Sequence, residues 1–145
     1  MKLGRCILGV AGVIGMGWLA AMPVSAHHAF SAEFDADKPV KVRGTLVKVQ
    51  WTNPHSWWHL DVKNESGEVE RWMFEGGAPG SLARRGYTKD FVKVGTEIII
   101  EGFLSKGIPR RANGRSMTYA DGTQLFMGSS GTGAPADGRD PGEKP

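Results

Sequence analysis

The stretch Pro39–Trp51, PVKVRGTLVKVQW, decides the fold class. Apolar and polar residues alternate along it, which predicts a β-strand with one face on a core. Val40 and Val42 lie on one parity and Val49 on the other, so the alternation changes phase around Gly44–Leu46. A phase change beside a glycine predicts a bulge or a sharp bend. A long, bent first strand can serve both halves of a small barrel.

The rest of the chain continues as short β-segments around one short helix. Strands are predicted at 55–63, 68–74, 97–104, 115–119 and 124–127, with a hairpin turn at 64–67, another at 121–122 and a basic loop at 105–113. Ser81 is expected to cap a helix at 82–85 that Gly86 ends. Three strands, a helix and further strands follow the plan of the OB-fold. The expected fold is therefore all-β with one or two short helices, an OB-fold-like small β-barrel; the alternative is an open β-sandwich.

The two ends of the chain are not expected to belong to this fold. Lys2 and Arg5 precede an uncharged apolar run, and Val24–Ala26 forms a small-x-small site, which is the layout of a Sec-type signal peptide over residues 1–26. We therefore expect cleavage after Ala26 and a periplasmic or secreted protein. Residues 129–145 contain no large apolar side chain and are predicted to be a disordered tail. The domain is expected at 27–128, with an N-terminal arm at 27–38.

Loss of the signal peptide changes what the composition implies. The 145-residue chain carries a net charge of +3 and one Cys. Lys2, Arg5 and Cys6 all lie in the predicted signal peptide, so the mature chain carries +1 and no Cys. A disulfide framework and a Cys-rich zinc site are thereby excluded. A near-neutral exported chain is not expected to bind nucleic acid or to span a membrane. The expected partner is a periplasmic protein or a small ligand.

Cleavage after Ala26 would make His27 the first residue of the mature chain. Its α-amine and its ring nitrogen can then chelate one metal ion together, and nitrogen ligands of this kind suit Cu(II). His28 offers a second arrangement, in which the α-amine and the intervening amide nitrogen also bind. The sequence therefore predicts copper as a possible cofactor.

A third nitrogen for this metal must come from His55 or His59, since the chain has four histidines. Strand residues four apart are separated by about 13 Å, so a regular strand cannot bring both to one ion. We prefer His55, because the turn at Asn53-Pro54 can fix its position. Oxygen ligands could be added by Glu33, Asp35 or Asp61.

A second set of residues is a candidate for binding a ligand or partner. Trp57 and His59 share the parity opposite to the core residues of their strand, so an outward aromatic ring is expected beside an outward imidazole. Arg84 and Arg85 form a small positive patch that suits an anionic ligand. These four residues are the candidate ligand-binding or partner-binding residues.

No catalytic residue is predicted, since the sequence lacks a Gly-x-Ser-x-Gly elbow and a phosphate-binding Gly loop. The function expected first is therefore an exported, non-catalytic binding module of unknown ligand. The alternative is a Cu(II)-binding protein that uses His27, His28 and His55. A more remote alternative is a copper redox enzyme of the histidine-brace type.

Several motifs together resemble one protein family. They are His27-His28-Ala29-Phe30, Glu33-Phe34-Asp35, Lys38-Pro39-Val40, Gly44-Thr45, Trp51-Thr52-Asn53-Pro54-His55 and Arg84-Arg85-Gly86. The chain is similar over about 27–129 to small secreted proteins, mostly from proteobacteria, that are grouped as a domain of unknown function. Their HHxF start and Trp-x-Asn-Pro-His element are the most specific features. The resemblance implies an OB-like β-barrel in the periplasm and no established activity.

Overall fold

The computed structural model describes residues 26–128. It contains two helices and six strands: α1 (Ala26–Glu33), β1 (Phe34–Trp51), β2 (Ser56–Lys63), β3 (Val69–Gly76), α2 (Pro79–Arg84), β4 (Glu97–Ser105), β5 (Arg111–Tyr119) and β6 (Gln124–Phe126). The predicted signal peptide up to residue 25 and the predicted tail at 129–145 lie outside the described residues. Within 26–128, no helix is both long and apolar enough to cross a membrane.

The strands form one hydrogen-bonded ring. β1 pairs antiparallel with β2 and with β4, β2 pairs with β3, and β4 pairs with β5. A parallel pairing of β3 with β5 closes the ring, and β6 extends it beyond β5. With α2 between β3 and β4, this is the predicted OB-fold connectivity, and the expectation of an all-β domain is confirmed. The closed ring distinguishes it from an open β-sandwich.

The bend predicted in the first strand is where β1 changes partners. Thr45 pairs with Glu97 of β4 on one side and with Asp61 of β2 on the other. Residues before it pair with β4, and residues after it pair with β2 across a register shift between Leu46 and Lys48. The phase change in the sequence is therefore a β-bulge, and one strand serves two edges of the ring.

The ring encloses one main core, with a smaller core beside it. The main core is built from side chains of the five longer strands, of α2 and of two connecting segments: Val42, Leu46, Trp58, Leu60, Phe74, Leu82, Val92, Ile98, Ile100, Ala112, Met117 and Met127. Trp58 is buried, and Trp72 packs against this core at its edge. The smaller core consists of Phe30, Phe34 and Phe103 and attaches α1 to β4.

Three local predictions differ from the structure. The arm expected at 27–38 is instead α1 and the start of β1, because Phe30 and Phe34 are buried against Phe103, a contact that no local periodicity reveals. α2 begins at Pro79 without a side-chain cap, and Ser81 lies within it and accepts a hydrogen bond from Arg84. The strand expected from residue 115 begins at 111, because the loop predicted at 105–113 ends in the parallel pairing with β3.

The close approach of strands at Gly44 predicts a measurable loss of stability on substitution. A Cβ atom at Gly44 would lie 2.8 Å from the carbonyl oxygen of Asp61 and 2.9 Å from a Val62 methyl carbon. We expect Gly44→Ala to lower the free energy of unfolding by about 1–3 kcal/mol, measured by urea denaturation. Gly107→Ala is the matched control, because a Cβ there meets no atom within 4 Å. Equal stability of the two variants would contradict the prediction.

Candidate functional site

The turn between β1 and β2 is held rigidly against the end of β3. The hydroxyl of Thr52 donates to the carbonyl of His55 at 3.2 Å, and the Asn53–Pro54 peptide bond is cis. Ser56 is fully buried; its hydroxyl donates to the Gly77 carbonyl at 2.9 Å and accepts the indole N–H of Trp58 at 3.1 Å. The backbone on both sides of His55 is thus fixed.

His55 is oriented by a buried carboxylate. Its Nδ1 lies 2.7 Å from Oε1 of Glu75, and the side chains are 38% and 8% exposed, respectively. Since a carboxylate accepts hydrogen bonds, the neutral ring carries its proton on Nδ1 and leaves the lone pair of Nε2 unused by this contact. A carboxylate behind the opposite nitrogen is the usual way in which proteins orient a histidine that binds a metal.

Glu75 is the most deeply placed acid of this region. Burial raises the pKa of its carboxyl group above the usual value, and nearby Glu33 adds to this effect, while His55 and Arg111 oppose it. A buried carboxylate needs such partners to remain charged. His55 therefore belongs to a charged network rather than to an isolated surface turn.

Arg111, the first residue of β5, contributes the positive charge of this network. Its guanidinium lies over the ring of Trp57 at 4.7 Å and over that of Phe34 at 5.6 Å. Nη2 of Arg111 is 2.8 Å from Oε2 of Glu33 and 3.6 Å from Oε2 of Glu75. We call His55, Glu75, Arg111, Glu33 and Trp57 the His55 cluster.

Of the predicted site residues, His55, Trp57 and the possible oxygen ligand Glu33 belong to this cluster, whereas His59 does not. The His59 ring is 9% exposed, and its Nε2 lies 2.7 Å from Oε1 of Gln50. His59 thus shares the face of Trp57 and Gln50, as its position in the strand predicts, but it is covered instead of exposed. Burial, followed by the charges of Lys48 and Arg71, lowers the pKa of His59.

The remaining predicted residues lie elsewhere. Arg84 donates to the Ser81 hydroxyl, and Arg85 donates to the Gly128 carbonyl at 2.9 Å and lies 5.2 Å from the Phe126 ring. Arg85 thus holds the chain after β6 on α2. The backbone of His27 and His28 forms part of α1, and their side chains lie outside the described residues.

Glu75 was not singled out from the sequence, and Arg111 appeared there only within the basic loop at 105–113. Counting from the hairpin turn predicted at 64–67 pairs Trp57 with residue 74, whereas the structure pairs it with Glu75, because the turn is one residue longer. No local signal placed Arg111 beside His55, since the parallel pairing that positions it joins distant parts of the chain. Among the described residues, no three His, Cys, Asp or Glu side chains are grouped as a metal site.

The buried His59 ring predicts how stability depends on pH. Its pKa is lowered from the usual 6.5, so the unfolded chain binds a proton more readily than the folded one. The stability that neutral His59 contributes is complete above about pH 6.5 and is lost as the pH falls through the lowered pKa. We expect His59→Gln to reduce the loss of unfolding free energy between about pH 7 and pH 5, measured by urea titration. An unchanged slope in His59→Gln would contradict the assignment.

Comparison with known proteins places the chain in a protein family. No curated protein matches the chain. The sequence model of one family, described as a family of unknown function (DUF6152), matches residues 18–113, which include α1, both sides of the turn at His55 and the start of β5. The chain therefore belongs to the DUF6152 family of unknown function.

Proposed function

We propose that this protein is an exported, non-catalytic binding module that holds its ligand through Nε2 of His55. The observation that carries the proposal is the 2.7 Å contact between Nδ1 of His55 and the buried carboxylate of Glu75. This contact fixes the ring and its proton on the side away from Nε2. A half-exposed imidazole that is oriented in this way is prepared to donate a lone pair to something outside the domain.

The ligand we propose is a transition-metal ion, with Cu(II) as the ion best suited to nitrogen donors. Cleavage after Ala26 would supply the α-amine and ring of His27, with His28 as the additional donor predicted above. The charges of the cluster support a cation. The carboxylates of Glu33 and Glu75 outnumber the guanidinium of Arg111, so a neutral His55 leaves the cluster negative.

The fold supports a ligand site at the end of the strand ring that carries His55. In OB-folds, ligands are bound on strands two and three together with the loops that follow strands one and four. His55 follows β1, Glu75 ends β3, and Arg111 follows the loop after β4. OB-folds share the place of the ligand site, whereas the side chains at that place decide the ligand. The copper redox enzyme of the sequence analysis stays a prediction, with no structural observation in its favour.

The proposal predicts tight Cu(II) binding that depends on the mature N-terminus. Protein beginning at His27 is expected to bind Cu(II) with a Kd below about 1 μM, measured by competition with a chelator. Acetylation of the His27 α-amine removes the chelating amine and is expected to abolish that binding while leaving every side chain in place. His55→Ala is expected to weaken binding by at least about tenfold, because one of the ligands is lost.

His59→Gln is the matched control for His55→Ala, since it removes a histidine that faces Gln50 instead of the cluster. Its Cu(II) affinity is expected to equal that of the parent. The same measurement decides between a Cu(II)-binding protein and a binding module for another ligand. Absence of sub-micromolar binding in the mature protein would refute the copper site, and equal binding by His55→Ala would refute the role of His55.

A further inference from the structure

We propose that Arg111 is a positioning residue that ties the N-terminal helix to the His55–Glu75 pair. In this role Arg111 sets where the mature N-terminus lies relative to His55. The inference rests on the proposed function, because it assigns the terminus and His55 to one copper site.

Two aromatic rings orient the guanidinium of Arg111 independently of its acidic partners. It lies over the rings of Trp57 and Phe34, and its side chain is only 17% exposed. A planar cation that contacts two aromatic rings has few orientations available. Its Nη2 faces Glu33 at 2.8 Å and Glu75 at 3.6 Å. One nitrogen atom thus connects the last residue of α1 with the carboxylate that orients His55.

Several contacts hold the end of α1, and among them the ion pair of Glu33 with Arg111 is the one that leads toward His55. Phe30 packs against Phe103 of β4, and Nζ of Lys106 donates to the Ser31 carbonyl at 2.7 Å. The backbone N–H of Lys106 donates to the Glu33 carbonyl at 2.9 Å. These contacts attach the helix to β4 and the turn after it. Since residues 27 and 33 are about 9 Å apart along a helix, the direction of α1 at Glu33 determines where its first residue lies.

Electrostatics and positioning predict opposite results for the loss of Arg111. A cation next to a Cu(II) site repels the ion, so removing Arg111 should tighten binding if charge alone matters. If Arg111 positions α1 and Glu75, removing it should weaken binding. The direction of the change in Cu(II) affinity therefore distinguishes the two roles, because loss of the charge alone would raise the affinity.

The experiment compares two ion pairs of the same kind in mature protein that begins at His27. Glu33→Gln and Arg111→Gln break the proposed link; Glu70→Gln and Arg110→Gln break the pair between Arg110 and Glu70, 3.6 Å apart, as matched controls. Cu(II) affinity is measured by chelator competition. Exchange of the α1 amide hydrogens and the ring 15N shifts of His55 are measured without metal.

We expect Glu33→Gln and Arg111→Gln to weaken Cu(II) binding by about tenfold or more and to accelerate exchange in α1, whereas both controls match the parent. Arg111→Gln is also expected to shift the His55 ring nitrogens, because Glu75 loses its cation. Arg111→Lys is expected to show the same weaker Cu(II) binding and faster α1 exchange as Arg111→Gln, since an ammonium cannot make the same planar contacts.

Two results overturn the inference. One is a folded Arg111→Gln variant that binds Cu(II) as tightly as the parent or more tightly, and the other is α1 exchange that is unchanged in it. Should Arg111→Gln fail to fold, the metal-free α1 exchange of Glu33→Gln decides, because Glu33 is 56% exposed and its loss leaves the cores intact. Should the parent not bind Cu(II), the proposed function fails, and the metal-free exchange data still decide whether Arg111 holds α1.

Discussion

The change of partners at Thr45 is the constraint on which the rest of the structure depends. The first half of β1 pairs with β4 and the second half with β2, and at the change Gly44 lies so close to the β2 backbone that a side chain would collide. Through this exchange β1 connects β2 and β4 in the ring that β3 and β5 close. Both the core and the His55 cluster follow from this closure, because the cluster lies where β2, β3 and β5 meet.

Closure also explains why a carboxylate is buried beside an arginine. Glu75 lies on the strand between β2 and β5, so His55 reaches it from one side and Arg111 from the other. Burial of an acid is unfavourable unless opposite charges and hydrogen bonds accompany it. The cost that raises the pKa of Glu75 is offset by those two partners, and the same contacts orient the imidazole and hold α1. Stability and the proposed ligand site thus use the same side chains.

The His55 cluster differs in charge from the positive patch of Arg84 and Arg85 that the sequence also suggested. Arg85 is occupied with the Gly128 carbonyl and the Phe126 ring, and Arg84 contacts its own helix. The His55 cluster carries two acids for one arginine. The ligand that we propose for it is accordingly a cation, to which the predicted chelating terminus would supply further nitrogen atoms.

The sequence by itself determined the all-β class, the bent first strand and the turn that carries His55. These features depend on alternation, on glycine and proline, and on spacing along a short segment, all of which are local. Only the tertiary structure decided that residues 26–33 form a docked helix, that His59 is covered, and that Glu75 and Arg111 flank His55. Each of these depends on contacts between distant segments, above all the parallel pairing of β3 with β5, and no local pattern encodes such a pairing.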